Sequence, residues 1–281
     1  MAGALTQHVR GLVPLPARLR AAAWITRQRW MPGSDHIAVG LIRDLQTSNP
    51  KHFHKFAWAN HLMAYARWYE EEEELFAPEQ MQPTRVELFR DLVAVLEQDL
   101  SRPASSVESI LEIGCSQGYL LRHLETQVFP GCETLVGIDI DGPAIDKGGR
   151  YLRGQGSRVR LMQGDMEDLP ALAGDTTFDV TLAAGVLSYL NQADATTVVR
   201  QLLQRTNVVL ALAGLACFER PNETLDRSIL SPGHQGQWIH NFEAMVAAAG
   251  GRVVRSRWEG PRQYNFQTIS FVFAVPERHG A

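Results

Sequence analysis

The stretch that decides the fold reads Val107-Glu108-Ser109-Ile110-Leu111-Glu112-Ile113-Gly114-Cys115-Ser116-Gln117-Gly118-Tyr119-Leu120-Leu121-Arg122-His123-Leu124. Its pattern predicts an apolar strand, a turn of small residues and an amphipathic helix that begins near Gln117. Gly114 and Gly118 allow the backbone to turn sharply and to approach a ligand closely, because neither residue has a Cβ. The free N–H groups at the start of such a helix favour the polar end of a nucleotide-like molecule.

The spacing of the glycines distinguishes two kinds of nucleotide site. A dinucleotide-binding fingerprint requires glycine at positions 114, 116 and 119, where this chain has Gly114, Ser116 and Tyr119. Because only one of the three positions matches, the spacing disfavours NAD as the ligand.

The segment from Leu111 to Gly118 instead resembles motif I of the class I S-adenosylmethionine (SAM) dependent methyltransferases, E/D-x-G-x-G-x-G. Ser116 stands in place of the middle glycine, a mild change because serine is small. The resemblance implies SAM as cofactor and S-adenosylhomocysteine as its product. It also implies that the cofactor contacts the motif at Glu112, Gly114, Cys115, Ser116 and Gly118.

Three later segments are similar to the next motifs of the family, in the family's order. An acid about one βα unit after a glycine turn suits both ribose hydroxyls, and the resemblance to G-x-D assigns this role to Asp139, next to Ile140. A helix cap is the structural alternative for Asp139, and Asp141 is interpreted as the cap. The segment 164–170 resembles G-D-a-x-x-L-P, which implies that Asp165 and Met166 hold the adenine. The segment 178–190 resembles the fourth strand and its loop, which places Ala184 at the cofactor.

Strands and helices alternate in short steps after residue 105, which predicts a doubly wound α/β domain. The resemblance covers roughly Glu108 to Pro276 and implies a seven-stranded, mostly parallel sheet with an antiparallel C-terminal strand. Before it, apolar residues recur at helical spacing with no alternation of the β type. The sequence therefore predicts an all-helical N-terminal cap over residues 1–104 and a SAM-binding domain over 105–281. A helix from Thr84, opened by a Thr84 to Glu87 capping box, is the best marked of the cap.

The helical region carries rings at steps of four and three residues, which predicts one aromatic stripe along a helix. Its members are His54, Trp58, His61, Tyr65 and Trp68. Two interpretations stay open, since the stripe can pack against a neighbouring helix or a subunit partner, or can roof a pocket for a flat or cationic molecule. The second interpretation predicts that Trp58 and Tyr65 line a substrate pocket. Tyr189 and Tyr264 are further candidates for this pocket, with a role in orienting the substrate.

Methyl transfer from a sulfonium needs mainly alignment of the reacting atoms and exclusion of water. An oxygen or nitrogen nucleophile can also need a base, a task that suits histidine. The predicted catalytic residues are therefore His234, His240 and His61, with His234 favoured because Gly233 and Gly236 flank it in a turn. His240 can instead cap the next helix. No acidic or histidine cluster has metal-ligand spacing, so no metal is predicted.

Composition narrows the choice of partner. The chain has 281 residues, a formal charge of −4 and no basic block, which gives no reason to expect a nucleic acid. No apolar run approaches the length of a membrane span, and three scattered cysteines fit a reducing cytoplasm. We expect a cytoplasmic enzyme with a small-molecule substrate, and a homodimer through the helical region as one option.

The sequence leads to one function hypothesis with two alternatives. The leading hypothesis is a SAM-dependent methyltransferase that acts on an oxygen or nitrogen of a small metabolite, with carbon as a variant. The first alternative is a SAM-binding regulatory or scaffold subunit without turnover. The second is an RNA methyltransferase, which ranks last because the basic surface is missing.

Overall fold

The computed structural model describes residues 12–28, 33–62, 76–234, 236–264 and 267–277. These residues form two compact units, one up to residue 62 and the other from residue 76 onward. A helix at 83–94, within the predicted cap, belongs to the second unit and packs with its sheet. The boundary at residue 105 between a cap and a SAM-binding domain stays a prediction.

The described part of the first unit consists of helices. They are α1 (Leu15–Arg27), α2 (Ser34–Ile42), α3 (Leu45–Ser48) and α4 (Pro50–Ala59). Ala22, Ile42 and Phe53 are among the buried side chains of its core. Arg18, almost fully buried, bridges the helices by donating to the Leu41 carbonyl at 2.7 Å and to the Asp44 carboxylate at 2.7 and 3.0 Å. Within the described ranges every helix is too short or too polar to span a lipid bilayer.

Helix α4 ends before the predicted aromatic stripe is complete. The Leu62 N–H donates to the Ala57 carbonyl and the His61 N–H to the Trp58 carbonyl, while His61 has a left-handed φ of 55°. This is the Schellman arrangement that terminates helices. The prediction of one continuous stripe through His61 is therefore wrong, because His61 lies beyond the helix end; Tyr65 and Trp68 lie outside the described residues.

The second unit opens with helix α5 (Pro83–Ala94), which continues as a π-helical turn (Val95–Asp99). The predicted capping box does not form, because the helix starts one residue earlier with proline at its first position and no side-chain cap. Glu87 instead binds Arg257, which also binds Asp91 and Glu259. These ion pairs attach α5 to the last part of the chain.

Nine strands follow in the part of the second unit that the structure describes. Seven form one sheet, and β6 (Ile229–Leu230) and β7 (Trp238–Ile239) form a separate small hairpin. The strands of the sheet are β1 (Ser109–Ile113), β2 (Thr134–Asp139), β3 (Val159–Gln163), β4 (Phe178–Ala184), β5 (Thr206–Ala213), β8 (Gly251–Tyr264) and β9 (Gln267–Pro276). Their order is β3-β2-β1-β4-β5-β9-β8, and β9 is antiparallel to both of its neighbours. The predicted fold class is confirmed.

Helices cover the sheet and complete the core. They are α6 (Tyr119–His123, continued by a π-helical turn at Leu124–Val128), α7 (Gly142–Gly154), α8 (Leu169–Ala173), α9 (Gln192–Gln204) and α10 (Phe242–Ala248). Side chains of β1, β4 and β5 pack with those of α9 and α10 in one buried cluster. The order of the strands reverses between β1 and β4, so their carboxyl ends flank the crevice in which ligands bind in doubly wound sheets.

Candidate functional site

The turn after β1 is built from backbone conformations that favour glycine. Gly114 has a φ of +71° and Gly118 a φ of +81°, and Ser116 between them has a φ of +50°. A Cβ on Gly114 would lie 2.6 Å from Cβ of Val186, so glycine is also required for space. Ser116 thus adopts the left-handed conformation that the missing middle glycine would take more easily, at a cost on the order of 1 kcal/mol.

Asp139 holds this turn in place from the end of β2. Its carboxylate accepts the N–H of Ser116 at 2.7 Å and the N–H of Asp141 at 2.9 Å. Burial raises the pKa of Asp139 to about 6, although these backbone donors act in the opposite direction. Asp141 caps α7 by accepting the Ala144 N–H at 2.9 Å, as the sequence predicts.

The end of β3 lies next to Asp139. The Gly164 N–H donates to the Asp139 carbonyl at 2.8 Å, and the next residue, Asp165, accepts the Glu167 N–H at 3.0 Å. Met166 begins the 3₁₀ turn that follows and packs against the core. Backbone hydrogen bonds therefore bring the glycine turn, Asp139 and Asp165 together at one edge of the sheet. Ile140 lies beside them and accepts a 3.4 Å hydrogen bond from Gln163.

Glu112 is the second-last residue of β1 and is almost fully buried. Burial raises the pKa of its carboxyl to about 8, Arg85 lowers it and Asp139 raises it further. Its Oε2 atom has no hydrogen-bond partner among the described residues. A buried acceptor without a partner is costly, and a cationic group of a ligand would satisfy it.

Cys115 packs against β2 and its backbone holds the glycine turn in place. Its thiol occupies the space above Gly137, where a Cβ would lie 2.6 Å from the sulfur. Its N–H donates to the Ile138 carbonyl at 3.3 Å and its carbonyl accepts from Gly118 at 2.8 Å. The sequence assigns Cys115 to the cofactor, but these contacts with the protein leave it a role in holding the turn.

The loop after β4 closes the other side of the crevice. Ala184 ends β4, Gly185 has a φ of +90°, and a 3₁₀ turn covers Val186–Tyr189. The Ser188 hydroxyl donates to the Gly185 carbonyl at 2.7 Å and to Oε1 of Gln237 at 3.3 Å. The hairpin β6–β7 is thereby attached to the loop.

His240 makes a second attachment. It is almost fully buried, with Nδ1 2.7 Å from the Ser228 hydroxyl and Nε2 3.0 Å from the Leu187 carbonyl. Burial lowers the pKa of its imidazole to about 4, so the ring is neutral near pH 7. Since Leu187 offers only an acceptor, Nε2 donates and Nδ1 accepts from Ser228. Both nitrogens are occupied, which argues against the predicted role of His240 as a base.

The other two predicted histidines lie in different units. His234 is exposed in the turn between β6 and β7, with Nδ1 3.2 Å from the Ser231 hydroxyl. His61 and Trp58 belong to the first unit, and His61 is buried there. The structure therefore gives His234, of the three candidates, an accessible position within the unit that contains the glycine turn.

The predicted pocket residues are only partly described. Tyr189 is half-buried on the turn after β4, and Tyr264 is paired with Gln267 near the end of β8. Tyr65 lies outside the described residues. Histidine, cysteine and acidic side chains of the described ranges do not gather in groups of three that could hold a metal ion.

Two functional positions are missed by the sequence reasoning. Gly148 lets α7 approach the glycine turn, because a Cβ there would lie 2.1 Å from the Gln117 carbonyl oxygen. Arg85 reaches the carboxyl end of β4 and donates to the Ala184 carbonyl at 3.1 Å. The Gly148-Gly149 pair inside a predicted helix is a signal that could have found the first; nothing local marks the second.

Comparison with known proteins agrees with this geometry. Residues 110–207 match a family model described as a methyltransferase domain. No curated protein matches the chain by sequence.

Solved structures share the fold at low sequence identity. Magnesium protoporphyrin IX methyltransferase from Synechocystis PCC 6803 with bound SAM is 14% identical, with a TM-score of 0.56 over 82% of this chain and 98% of that chain. A SAM-dependent methyltransferase from Clostridium acetobutylicum is 10% identical, with a TM-score of 0.53 over 76% and 99%. DesVI from Streptomyces venezuelae is 16% identical, with a TM-score of 0.52 over 76% and 99%.

The contact between α7 and the turn predicts opposite effects of two neighbouring substitutions. Gly148→Ala should lower the free energy of unfolding by roughly 1–3 kcal/mol, because its Cβ would collide with backbone. Gly149→Ala should raise it by about 0.5–1 kcal/mol, because its Cβ meets only the end of the flexible Arg153 side chain, 3.2 Å away. Urea unfolding of both variants measures the difference, and equal effects would contradict the packing described.

The buried carboxyl of Glu112 predicts a pH dependence of stability. Its pKa is raised from 4.5 to about 8, so the folded protein holds the proton more tightly than the unfolded chain. The contribution of Glu112 is therefore fully present below pH 4.5 and is lost as the pH rises towards 8, by at most about 1.4 kcal/mol per pH unit. Arg85 and Asp139 are the charged groups that act on it.

Urea unfolding at pH 6 and pH 8 tests this dependence in the wild type and in Glu112→Gln, which keeps the shape and cannot ionise. The wild type should lose more stability over this interval than the variant. An equal loss in both proteins would mean that Glu112 does not carry the raised pKa.

Proposed function

We propose that this chain transfers a methyl group from SAM to an oxygen or nitrogen of a small metabolite. The match of residues 110–207 to a methyltransferase-domain family model supports this proposal. A carbon nucleophile is the variant within the same class. The observation that carries the proposal is the meeting of the glycine turn, Asp139 and Asp165 at the carboxyl edge of β1, β2 and β3.

Each part of the cofactor has a matching group at this edge. Asp139 suits the two ribose hydroxyls, because one carboxylate can accept from both. Asp165 and the backbone of Met166 suit the adenine. The unsatisfied Oε2 of Glu112 suits the ammonium group of the amino-acid end. When bound, SAM supplies a methyl group on a positively charged sulfur.

The chain's own contribution to catalysis is mainly alignment and exclusion of water. Ser188 and His240 connect the loop after β4 to the segment that follows β5. Two hydrogen bonds between these segments hold one wall of the crevice in a fixed position. His240 therefore acts as a positioning residue in this proposal.

His234 is the proposed general base. The Ser231 hydroxyl engages Nδ1 and orients the ring, and Nε2 has no hydrogen bond among the described residues. An accessible Nε2 can take the proton of an oxygen or nitrogen nucleophile. Gly236, with a φ of +73°, gives the turn the backbone freedom to bring the ring to a substrate.

The formal charge of the chain and the similarity of its fold to a known methyltransferase support a small-molecule acceptor. The chain has a formal charge of −4 and no block of basic residues of the kind that binds the phosphate backbone of a nucleic acid. The Synechocystis PCC 6803 protein with this fold methylates magnesium protoporphyrin IX, a small molecule. A non-catalytic SAM-binding subunit is the second candidate, since the arrangement at Asp139 explains binding without requiring turnover.

Binding of S-adenosylhomocysteine, measured by calorimetry, tests the cofactor assignment. Asp139→Asn should weaken binding at least about tenfold, because an amide cannot accept from both ribose hydroxyls as a carboxylate does. Asp175→Ala removes an exposed acid of the same unit and should bind as the wild type does. Unchanged binding by Asp139→Asn would contradict the assignment.

Incubation with SAM labelled in its methyl group tests the reaction on a metabolite extract. Label should enter a small organic product and not protein or RNA. Binding without any labelled product would favour the non-catalytic alternative, and labelled RNA would overturn the choice of acceptor.

His234→Ala should lower kcat on that substrate about 100-fold, because the nucleophile loses its base, while the affinity for S-adenosylhomocysteine stays unchanged. His52→Ala, on the exposed surface of the first unit, serves as the matched control. An unchanged kcat in His234→Ala would exclude His234 as the base.

A further inference from the structure

Helix α1 has two faces of different character. Its buried residues follow steps of four along the helix and pack in the first unit; they are Arg18, Ala22 and Thr26. Arg20, Trp24 and Arg27 are exposed and follow steps of four and three, which places them along the opposite side of the helix. These three exposed residues form the outer face of α1.

The outer face leaves an indole ring in water. The exposed fraction of Trp24 is 59%, and that of Leu12, which lies just before the helix, is 77%. These are the two highest values among the large apolar side chains of the described residues. One exposed apolar side chain is common on a protein surface, but here two occur in one short segment beside exposed arginines. Covering them would gain free energy from the hydrophobic effect.

The arginines of the outer face have no acidic partner among the described residues. Arg20 donates a 3.4 Å hydrogen bond to the Pro16 carbonyl, and within the described ranges neither Arg20 nor Arg27 forms an ion pair. Helix α1 contains no acidic residue. The Asp44 carboxylate that reaches the helix is bound by the buried Arg18. Both positive charges are therefore available to an anionic partner.

The charge of the chain is divided unevenly along the sequence. Residues 1–62 contain eight lysines and arginines and two aspartates, which gives a formal charge of +6 in a chain whose total is −4. The remaining residues therefore carry −10. The first acid of the chain is Asp35, so α1 lies in a segment that has arginines and no acid. Such an asymmetry is typical of a protein that meets an anionic surface through one part.

The combination of residue types favours a lipid surface as that partner. Tryptophan prefers the boundary between lipid headgroups and acyl chains, and arginines beside it bind lipid phosphates. A nucleic-acid backbone would use the arginines but would leave the aliphatic side chain of Leu12 in water. Because α1 has 13 residues, it can lie along a bilayer surface but cannot cross the bilayer.

We propose that the outer face of α1 binds the surface of an anionic phospholipid bilayer. Trp24 and Leu12 enter the boundary between headgroups and acyl chains, and Arg20 and Arg27 pair with the phosphates around them. The binding is reversible, because one short helix buries little apolar area. The inference goes beyond the proposed function, since it gives the first unit the role of placing the chain at a membrane surface.

Sedimentation of the full chain with lipid vesicles tests this binding. Vesicles of phosphatidylcholine and phosphatidylserine at about 3:1 should bind the wild type, and vesicles of phosphatidylcholine alone should bind it at least about tenfold more weakly. Raising the salt concentration should weaken binding to the anionic vesicles. Equal binding to both kinds of vesicle, or binding to neither, would overturn the inference.

Two variants assign the binding to the outer face. Arg20→Glu with Arg27→Glu should weaken binding to the anionic vesicles at least about tenfold, because two attractive charges become repulsive. Trp24→Ala should weaken it about three- to tenfold, because less apolar area enters the bilayer. Both variants should keep the thermal unfolding of the wild type by circular dichroism, since the replaced side chains are exposed. Undiminished binding by either variant would contradict the assignment.

Matched controls carry the same kinds of substitution in the second unit. Arg153→Glu with Arg200→Glu reverses two exposed arginines on α7 and α9, and Phe218→Ala removes an exposed ring. Both should bind the anionic vesicles within about twofold of the wild type. An equal loss in these controls would show an effect of total charge or of any exposed ring and overturn the inference. Tighter binding of polyglutamate than of the anionic vesicles would indicate an acidic protein as the partner and would also overturn it.

Discussion

The site depends on the carboxylate of Asp139. It accepts backbone N–H groups from the glycine turn and from the start of the segment that leads into α7, and its own carbonyl accepts from Gly164. Three strand ends are thus joined through one residue. The burial that raises its pKa also removes water from the site, which strengthens each of these hydrogen bonds. A ligand that approaches this edge meets a carboxylate already oriented by the backbone.

Hydrogen bonds and ion pairs between segments that are distant in the sequence hold the other walls of the crevice in place. Arg257 fastens α5 to β8, and His240 and Ser188 fasten the region after β5 to the loop after β4. Each connection satisfies polar groups of the segments that it joins. The buried Oε2 of Glu112 has no partner among the described residues, and the proposed function places the ammonium group of the cofactor there.

The sequence predicts the parts of this arrangement that local spacing determines. The glycine turn, the acid that ends β2 and the order of strands and helices follow from periodicity and from motif order. Ser116 is identified as a departure, but only the structure shows that it adopts a glycine-like φ. The end of α4 is missed, because a Schellman motif at His61 has no glycine to signal it. Arg85 and the partners of His240 are missed because their contacts join segments that are far apart in the chain.

A crystal structure of the full chain grown with S-adenosylhomocysteine tests the central claim most directly. The account predicts one molecule per chain in the crevice between β1 and β4. Its ribose hydroxyls should lie within hydrogen-bond distance of Asp139, and its adenine should lie beside Asp165. Density for the adenosine at another place, or a ribose turned away from Asp139, would contradict the account.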